Sequence, residues 1–265
     1  MEYWFKIIGV GLFTNKYEMF YILTGKGGNG KGLLFELLKN CIGEYYYQAE
    51  NTFLTGITKS GAANPTLANC KGVRLLSVSE PNNGTETCAL NCDFIKSMTG
   101  RDDITSRNLY QSNITYTPQF NVFLQCNDMP SIKKLDNGMT RRIRVINYPF
   151  QFVESPINST DRKVNIKLKD DFKNNELLKD AFLQILIRYA AENINSNNID
   201  QPEQVKESIG NYIEENNPIK AFLNEHYDIT NSNRDKTLCS DFVKAVNTEF
   251  SEKSSAVKIT KRYGF

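Results

Sequence analysis

The chain has 265 residues, 40% of them hydrophobic, and carries 32 lysines and arginines against 30 acidic side chains. This length accommodates one large domain, or an ordinary domain with a smaller attachment, and the apolar content is enough for a packed core. The near-neutral charge balance excludes a uniformly basic, histone-like binder, so any contact with nucleic acid must come from a local cluster of charge.

The first predicted elements are a strand, a glycine-rich turn and a helix. The strand, Met19–Thr24, is a short apolar run, and the helix, Lys31–Cys41, places its apolar residues on one stripe with Gly43 beyond it as a stop signal. Residues 25–31 (GKGGNGK) between them fit G-x-x-x-x-G-K, the P-loop pattern, in the strand-to-helix context that gives this pattern a mechanism.

The P-loop predicts a polyphosphate site. Polyphosphate needs a concave array of backbone N–H groups, which glycines expose without Cβ clashes, and the positive end of the helix faces the same charge. Lys31 should reach the β- and γ-phosphates. The predicted nucleotide-binding residues are Gly25, Lys26, Gly27, Gly28, Asn29, Gly30, Lys31 and Gly32.

One position departs from the P-loop pattern. Gly32 stands where a Ser or Thr hydroxyl normally ligates Mg²⁺. Because Mg²⁺ retains waters readily, a water could replace the hydroxyl. A site that binds nucleotide but hardly hydrolyses it remains an open alternative.

Further along the chain, a second strand ends in a candidate catalytic carboxylate. Asn64 and Pro65 open a short helix as N-cap and first helical residue. The apolar strand Val73–Ser79 follows and leads directly to Glu80. Such a carboxylate can hold the Mg²⁺ shell or orient and deprotonate an attacking water, although isolated strand-end glutamates are usually only solvated.

The segment from Lys96 to Arg144 is the basic part of the chain, with eight basic against four acidic residues. It begins with a short helix, Asp93–Met98, ended by Gly100. The strands Arg107–Gln111 and Ile114–Thr117 then predict a β-hairpin with Ser112 and Asn113 at its turn.

Two more candidate sites flank the last strands of this part. Phe120–Cys126 is followed by Asn127, whose amide at the strand tip could sense a γ-phosphate. Arg141 and Arg142 precede the strand Ile143–Tyr148. In a ring, an arginine from a neighbouring subunit can neutralise charge that develops on the γ-phosphate, although paired arginines alone more often form a solvated patch.

The alternation of strands and helices predicts an α/β domain with a mostly parallel sheet covered on both faces. After Pro149 the pattern changes: Val153–Lys169 is polar and is interpreted as an extended linker. Asn175–Asn195 is interpreted as a long amphipathic helix whose apolar stripe begins with Leu177 and Leu178. Three further helices are predicted at Pro202–Glu215, Pro218–Tyr227 and Ser240–Phe250.

The lack of a signal pattern, the lack of a long apolar run and the cysteine spacing all argue against secretion. No secretory signal pattern is present, and no apolar run approaches the ~18 residues that span a bilayer. Cys88 and Cys92 form a C-x3-C pair, but no second Cys/His pair follows at zinc-site spacing. We therefore expect free thiols in a reducing, intracellular compartment.

Five segments in order, GKGGNGKG, RLLSVSEP, IKSMTGRDDITSRNLY, FLQCNDMPSI and RRIRVINYPF, resemble the superfamily 3 helicase domain. The resemblance is strongest to the poxvirus-type and phage–plasmid-type helicase–primases, which also occur in giant viruses and virophages. It implies an AAA+-like three-layer P-loop ATPase over residues 1–152, a linker and long helix over 153–200, and a small helical, winged-helix-like domain over 201–265 that we expect to be incomplete.

The resemblance also implies roles for single residues. Lys31 matches the phosphate lysine, Glu80 the Walker B acid and magnesium ligand, and Asn127 the sensor. Arg141 or Arg142 matches the arginine that acts on the neighbouring subunit's nucleotide. The motif between Walker B and the sensor, whose hairpin enters the ring channel, implies DNA contacts at Lys96, Arg101 and Arg107.

Together these observations predict an ATP- and Mg²⁺-dependent DNA helicase motor of a viral or plasmid replication protein. The expected assembly is a homo-hexamer on single-stranded or forked DNA, acting with a primase or other replication proteins, without membrane contact, in the host cytoplasm or a viral replication compartment. Two alternatives stay open: a degenerate nucleotide-binding assembly module and a P-loop DNA packaging motor.

Overall fold

Short apolar segments form a parallel sheet at the centre of the fold. They are seen in a computed structural model, which describes residues 1–55, 63–79, 89–132, 135–216, 222–223, 225–227 and 237–252. The strands are β1 (Phe20–Thr24), β2 (Tyr46–Ala49), β3 (Leu75–Ser79), β4 (Ile104–Ser106), β5 (Ile114–Tyr116), β6 (Asn121–Cys126), β7 (Ile143–Asn147), β8 (Gln151–Val153) and β9 (Asp161–Lys163). Five of them pair in parallel in the order β2-β3-β6-β1-β7. The predicted α/β fold with a mostly parallel sheet is confirmed.

Helices cover both faces of this sheet. They are α1 (Glu2–Gly11), α2 (Lys31–Ile42), α3 (Pro65–Asn69), α4 (Cys92–Thr99), α5 (Asn137–Arg142), α6 (Leu168–Asn174), α7 (Glu176–Asn193), α8 (Glu203–Glu215) and α9 (Cys239–Glu252). Side chains alternate along β1: Phe20 and Ile22 enter one buried cluster with α3, α4 and α5, while Tyr21 and Leu23 enter another with α1, α2, α6 and α7. Because both faces are buried, apolar residues predominate in the five strands of this sheet.

Helix α1 is an element that the sequence analysis did not predict. It packs along α7, where Phe5 stacks on Tyr189 with ring centroids 5.5 Å apart. Gly9 allows the close approach, since a Cβ there would lie 2.4 Å from the carbonyl oxygen of Leu186. The predicted helix Asn175–Asn195 corresponds to α7, but Leu177, placed in its apolar stripe, is 80% exposed.

The predicted hairpin exists with a different first strand. β4 pairs antiparallel with β5, so that Ile104 lies opposite Tyr116 and Ser106 opposite Ile114. The predicted strand Arg107–Gln111 is wrong, because these residues belong to the loop that connects β4 to β5. Tyr110 has φ of 60°, which a strand does not accommodate, and its side chain is fully exposed.

The predicted linker Val153–Lys169 contains regular structure. β8 and β9 form a two-stranded parallel sheet, and α6 begins at Leu168. The turn before β9 is held by the carboxylate of Asp161, which accepts hydrogen bonds from the backbone N–H groups of Ile157 at 3.0 Å and Asn158 at 2.9 Å. These bonds lower the pKa of Asp161, and they explain how a polar segment without periodicity can be ordered.

The chain divides into two compact units, and the first runs from Met1 to Ile213. The domain division predicted from the sequence, with a boundary at residue 200, stays a prediction. Residues of α8 up to Ile213 belong to the first unit because Tyr212 is only 2% exposed in its core and donates a 2.6 Å hydrogen bond to the carbonyl oxygen of Pro130.

The second unit, Glu214–Phe265, contains α9, which confirms the helix predicted at Ser240–Phe250. Val246 is fully buried there, and the rings of Tyr227 and Phe242 meet edge to face with centroids 5.6 Å apart. Half of the helix predicted at Pro218–Tyr227 lies outside the described residues. Among the described helices of both units, none is long and apolar enough to cross a membrane.

Candidate functional site

The loop between β1 and α2 has a backbone conformation that depends on its glycines. Gly25, Gly28 and Gly30 have φ values of 141°, 77° and 84°, which other residues rarely adopt. At Gly25 space is also lacking, because a Cβ would lie 2.5 Å from the carbonyl oxygen of Tyr148. Gly30 precedes the first turn of α2, whose N–H groups and positive dipole end attract anions. The predicted strand, loop and helix are confirmed.

Two buried polar residues of the loop are placed to meet an anion. Lys31 and Asn29 are each 7% exposed, and the ammonium of Lys31 donates to the carbonyl oxygen of Gly25. The Oδ1 of Asn29 accepts a 3.3 Å hydrogen bond from the Lys31 N–H. Its Nδ2 is buried and has no hydrogen-bond partner among the described residues. A buried donor without an acceptor is costly, and a phosphate oxygen bound here would relieve that cost.

A cavity of about 370 Å³ lies beside the loop and joins it to the end of β6. It is lined by Gly27, Gly28, Asn29, Gly30, Lys31, Gly32, Leu33, Gln125, Cys126 and Asn127. β6 is a direct neighbour of β1, and the hydroxyl of Thr24 donates a 3.2 Å hydrogen bond to the carbonyl oxygen of Asn127. The structure therefore brings Asn127 to the loop, while Lys26 is exposed at the loop's surface.

Glu80 lies outside the described residues. The strand that leads to it, β3, ends at Ser79 and pairs with β6, so β6 lies between β3 and β1. The side chain of Gln125 donates a 2.8 Å hydrogen bond to the hydroxyl of Ser77 across these two strands. The catalytic and magnesium-binding roles of Glu80 stay predictions.

Gly32, the second residue of α2, is exposed and surrounded by open space. A Cβ built on it meets no atom within 4 Å. A hydroxyl-bearing side chain would therefore fit at this position without displacing a neighbour, and the glycine is not required by local packing.

The two candidate arginines differ sharply in their surroundings. Arg142 is buried, and its guanidinium donates to the carboxylate of Glu18 at 2.8 Å and to the carbonyl oxygen of Gly138 at 3.0 Å. The Arg141 side chain is 68% exposed and lies 3.7 Å from the same carboxylate. Glu18 itself has φ of 55°. It was not identified from the sequence, since a single glutamate in a turn carries no recognisable signal.

Lys96, predicted to contact DNA, forms internal ion pairs. Its ammonium lies 2.7 Å from the carboxylate of Asp93 and 2.6 Å from that of Asp136, and these two carboxylates raise the pKa of Lys96. Asp136 also caps α5 by accepting a 2.8 Å hydrogen bond from the N–H of Met139. Lys96 therefore connects α4 to the start of α5, and its charge is largely balanced within the chain.

The other two predicted DNA contacts, Arg101 and Arg107, come before and after β4 in the chain. Arg101 is exposed and has φ of 59°, directly after the helix. Arg107 is half-buried and begins the loop between β4 and β5, and its carbonyl oxygen accepts a 3.1 Å hydrogen bond from the N–H of Asn64. In the same loop Leu109 is 63% exposed and Tyr110 completely so.

The sequence analysis missed a segment that supports the P-loop, β8. The N–H of Phe152 donates a 2.8 Å hydrogen bond to the carbonyl oxygen of Gly28, and the side chain of Gln151 donates to that of Gly27 at 3.1 Å. The Phe152 ring would lie 3.4 Å from a Cβ at Gly30. Only the glycines themselves could have signalled that another segment packs so closely.

The described part of the chain contains neither a candidate metal site of His, Cys, Asp and Glu side chains nor a disulfide bond among the cysteines described. No group of three or more His, Cys, Asp or Glu side chains is placed there to hold a metal ion. The cysteines that the structure describes with their surroundings, Cys41, Cys70, Cys92 and Cys126, are free thiols.

Comparison with known proteins relates the same residues to viral replication proteins. A family model described as "Family of unknown function (DUF5906)" matches residues 23–142, from β1 to α5. The chain is 38% identical over 184 residues to "Putative helicase L207/L206" of Acanthamoeba polyphaga mimivirus, which covers 66% of the chain and 19% of that protein. It is 26% identical over 192 residues to "Primase D5" of fowlpox virus, over 71% of the chain and 23% of that protein.

Further similarity extends over most of the chain. "Putative helicase V13" of Sputnik virophage is 26% identical over 242 residues, which are 86% of the chain and 30% of that protein. The chain thus spans between a fifth and a third of these relatives. A solved structure, "The A form apo structure of NrS-1 C terminal region-CTR", has a similar fold, with a TM-score of 0.51 at 15% identity over 92% of this chain and 57% of the chain in that structure.

Proposed function

The chain belongs to the viral helicase–primase family, and from this premise we propose that it is an ATP-driven DNA helicase motor of the superfamily 3, AAA+-like type. In this proposal ATP is hydrolysed at the interfaces between the subunits of a ring, which translocates on single-stranded or forked DNA. The relatives are named as helicases and primases, and the motor role is what the P-loop part of such proteins can supply.

The observation that carries the proposal is the cradle at residues 25–31 with its cavity. Two glycines with positive φ (Gly28 and Gly30), the start of α2, Lys31 and Asn29, whose buried Nδ2 has no hydrogen-bond partner among the described residues, line this cavity. All of these groups are positive or donate hydrogen bonds, so the space favours a polyanion. A triphosphate fits both the charge and the dimensions of a cavity of about 370 Å³.

Hydrolysis needs groups that act on the γ-phosphate and on water. Asn127, at the end of the strand beside β1, is placed to position the γ-phosphate or the attacking water. Glu80, directly after β3, would activate that water and hold Mg²⁺. Mg²⁺, when bound, would neutralise charge on the β- and γ-phosphate oxygens.

The arginine that completes the site in a ring is assigned to Arg141. A residue that acts on a neighbouring subunit's nucleotide must reach outward, and the Arg141 side chain is 68% exposed. Arg142 is held inside its own subunit by Glu18 and the Gly138 carbonyl, which accept hydrogen bonds from its two terminal nitrogens. Arg142 would then position the end of α5, from which Arg141 projects.

The proposal is tested by measuring ATP hydrolysis with and without single-stranded DNA. We expect hydrolysis to rise when DNA is added, and Lys31→Ala to abolish it because the β- and γ-phosphates lose their cation. A mass measurement of the assembled particle with ATP should give a ring. Hydrolysis that does not respond to DNA, or a wild-type protein that stays monomeric with nucleotide and DNA, would contradict the motor function.

A second candidate, a nucleotide-binding assembly module with little turnover, is motivated by Gly32. Without a hydroxyl at this position the Mg²⁺ shell depends on water and on Glu80. This candidate predicts tight ATP binding, slow hydrolysis and no strand separation on a forked duplex. A packaging motor would instead move along intact duplex, so a comparison of forked and intact DNA separates all three functions.

A further inference from the structure

The segment after β7 forms the wall of the P-loop that lies away from Asn127. In the sheet, β1 has β6 on one side and β7 on the other. Asn127 follows β6, whereas the chain leaving β7 turns along the glycines: the N–H of Tyr148 donates to the carbonyl oxygen of Thr24 at 2.8 Å, and the N–H of Phe152 to that of Gly28. The loop is therefore bounded by polar groups on the β6 side and by β8 on the β7 side.

Exposed aromatic rings lie on this β8 side. Phe152 is 44% exposed although its ring packs against Gly30, and Phe150 is 43% exposed. The guanidinium of Arg162, from β9, lies over the Phe150 ring at 4.1 Å from its centroid. Because β8 and β9 pair in parallel, with Phe152 opposite Arg162, these planar groups are fixed relative to each other and to the loop. Phe152 is therefore half-exposed beside the loop, and its packing on Gly30 covers only part of the ring.

A nucleotide bound along the loop would extend from its β6 side to its β8 side. If the γ-phosphate lies towards Asn127, the chain of phosphates runs along residues 27–31, and its other end, with the sugar and base, leaves towards β7 and β8. On that side the ring of Phe152 lies against the loop, 3.4 Å from where a Cβ at Gly30 would be.

We propose that the exposed face of Phe152 is the binding surface for the nucleotide base, with the Phe150–Arg162 pair as its rim. This inference rests on the proposed function, since it concerns the base of the same ATP. Aromatic rings stack on bases through their π-faces, and a guanidinium plane can do the same. The backbone hydrogen bond from Phe152 to Gly28 would then hold the base surface in a fixed position relative to the phosphate cradle.

The test separates the base from the phosphates. Binding of ATP and of inorganic tripolyphosphate to the whole chain is measured by calorimetry for the wild type, Phe152→Ala and Phe152→Tyr. For Phe152→Ala we expect about tenfold weaker binding of ATP, within the range that alanine substitution of a stacked ring gives, and tripolyphosphate binding unchanged to within about twofold. Phe152→Tyr keeps a ring and should bind ATP like the wild type.

A matched control is Phe13→Ala. Phe13 is 50% exposed, comparable to Phe152, but it lies next to Thr14, whose carbonyl oxygen accepts from Asn121 at the beginning of β6, at the opposite end of the strands from the P-loop. Its substitution should change neither affinity.

Two results would overturn the inference. Equal weakening of ATP and tripolyphosphate by Phe152→Ala would mean that the ring only shapes the loop, and no weakening of either would place the base elsewhere. A wild-type chain that bound neither ligand would instead refute the proposed nucleotide site itself, so the two failures are distinguishable.

Discussion

The P-loop and the basic segment Lys96–Arg144 are the two regions to which the sequence assigns function, and they translate into structure very differently. In the loop, the groups expected to bind phosphate are mainly backbone N–H groups and the residues that shape them. In the basic segment, function depends on which cationic side chains remain available. Of the four arginines and lysines compared there, Lys96 and Arg142 are tied to carboxylates of the same chain, whereas Arg101 and Arg141 are exposed.

The difference follows from the range of the interactions involved. A positive φ at Gly28 or Gly30 is a local property that a glycine pattern indicates directly. Whether a lysine is free depends on residues far along the chain: Asp136 lies 40 residues after Lys96, and Glu18 lies 124 residues before Arg142. The number of basic residues in a segment is therefore larger than the number of side chains that are available to bind DNA or nucleotide.

The largest effect is expected at Arg141, whose side chain is exposed. If Arg141 acts on the neighbouring subunit's nucleotide, Arg141→Ala should lower kcat for ATP by roughly a thousandfold, as loss of such an arginine does elsewhere. ATP binding and thermal stability should hardly change, because the side chain is exposed. Mixing the variant with Lys31→Ala protein provides the control: a site built from two subunits regains part of its activity in mixed rings, and a site within one subunit does not.

Arg142 should show the opposite behaviour. Arg142→Ala leaves the Glu18 carboxylate without its 2.8 Å partner and opens a cavity beside Gly138, so we expect the free energy of unfolding to fall by about 2–3 kcal/mol. This value lies below the range for fully buried pairs because Glu18 is 32% exposed. Chemical denaturation measures the change. In combination with Glu18→Gln the loss should be less than additive; strict additivity would argue against a direct pair.

The same division between local and long-range information explains what the sequence analysis found in the fold. The P-loop, α2 and α3 were predicted because their signals are local, such as the Asn64 cap, whose side chain accepts a 2.9 Å hydrogen bond from the N–H of Leu67. α1 was not predicted because its sequence contains two glycines and several β-branched residues, which disfavour a helix. Packing against α7 overrides that propensity, and Gly9 makes the packing possible.

The candidate site follows the same rule. Asn127 could be placed beside the P-loop from the sequence, because it ends an apolar strand and parallel strands end at one edge. β8 could not, since its polar surroundings lack periodicity and its order depends on hydrogen bonds to Gly27 and Gly28 and on the Asp161 turn. The error at Leu177 is of the opposite kind, because here the sequence predicts burial that the structure does not show. The apolar stripe of α7 does not reveal that Leu177, at the start of the helix, is exposed.

A smaller effect separates Arg101 from Lys96 on DNA. For single-stranded DNA we expect Arg101→Ala to weaken binding about three- to tenfold and to reduce the slope of log K against log[salt] by about 0.7, the value for one lost phosphate contact. Lys96→Ala should leave affinity within about twofold and instead lower stability by roughly 1 kcal/mol, since its charge is used by Asp93 and Asp136. Fluorescence anisotropy over a salt series measures both. A larger loss of affinity for Lys96→Ala than for Arg101→Ala would reverse the assignment.

The smallest effect is expected at Gly32 in the P-loop. The question there is whether a hydroxyl-bearing side chain changes activity. Gly32→Ser restores the hydroxyl of the usual pattern at a position where a Cβ meets no atom within 4 Å. If water already completes the Mg²⁺ shell, kcat should change by less than about threefold, because Mg²⁺ keeps several waters in such sites. The free energy of unfolding should rise by about 0.5 kcal/mol, since serine is a better helix former than glycine. Gly32→Ala is the matched control, as it gains helix propensity without a hydroxyl. A gain in turnover of more than about tenfold for serine but not alanine would show that the hydroxyl is missed, and would favour the nucleotide-binding module over the motor.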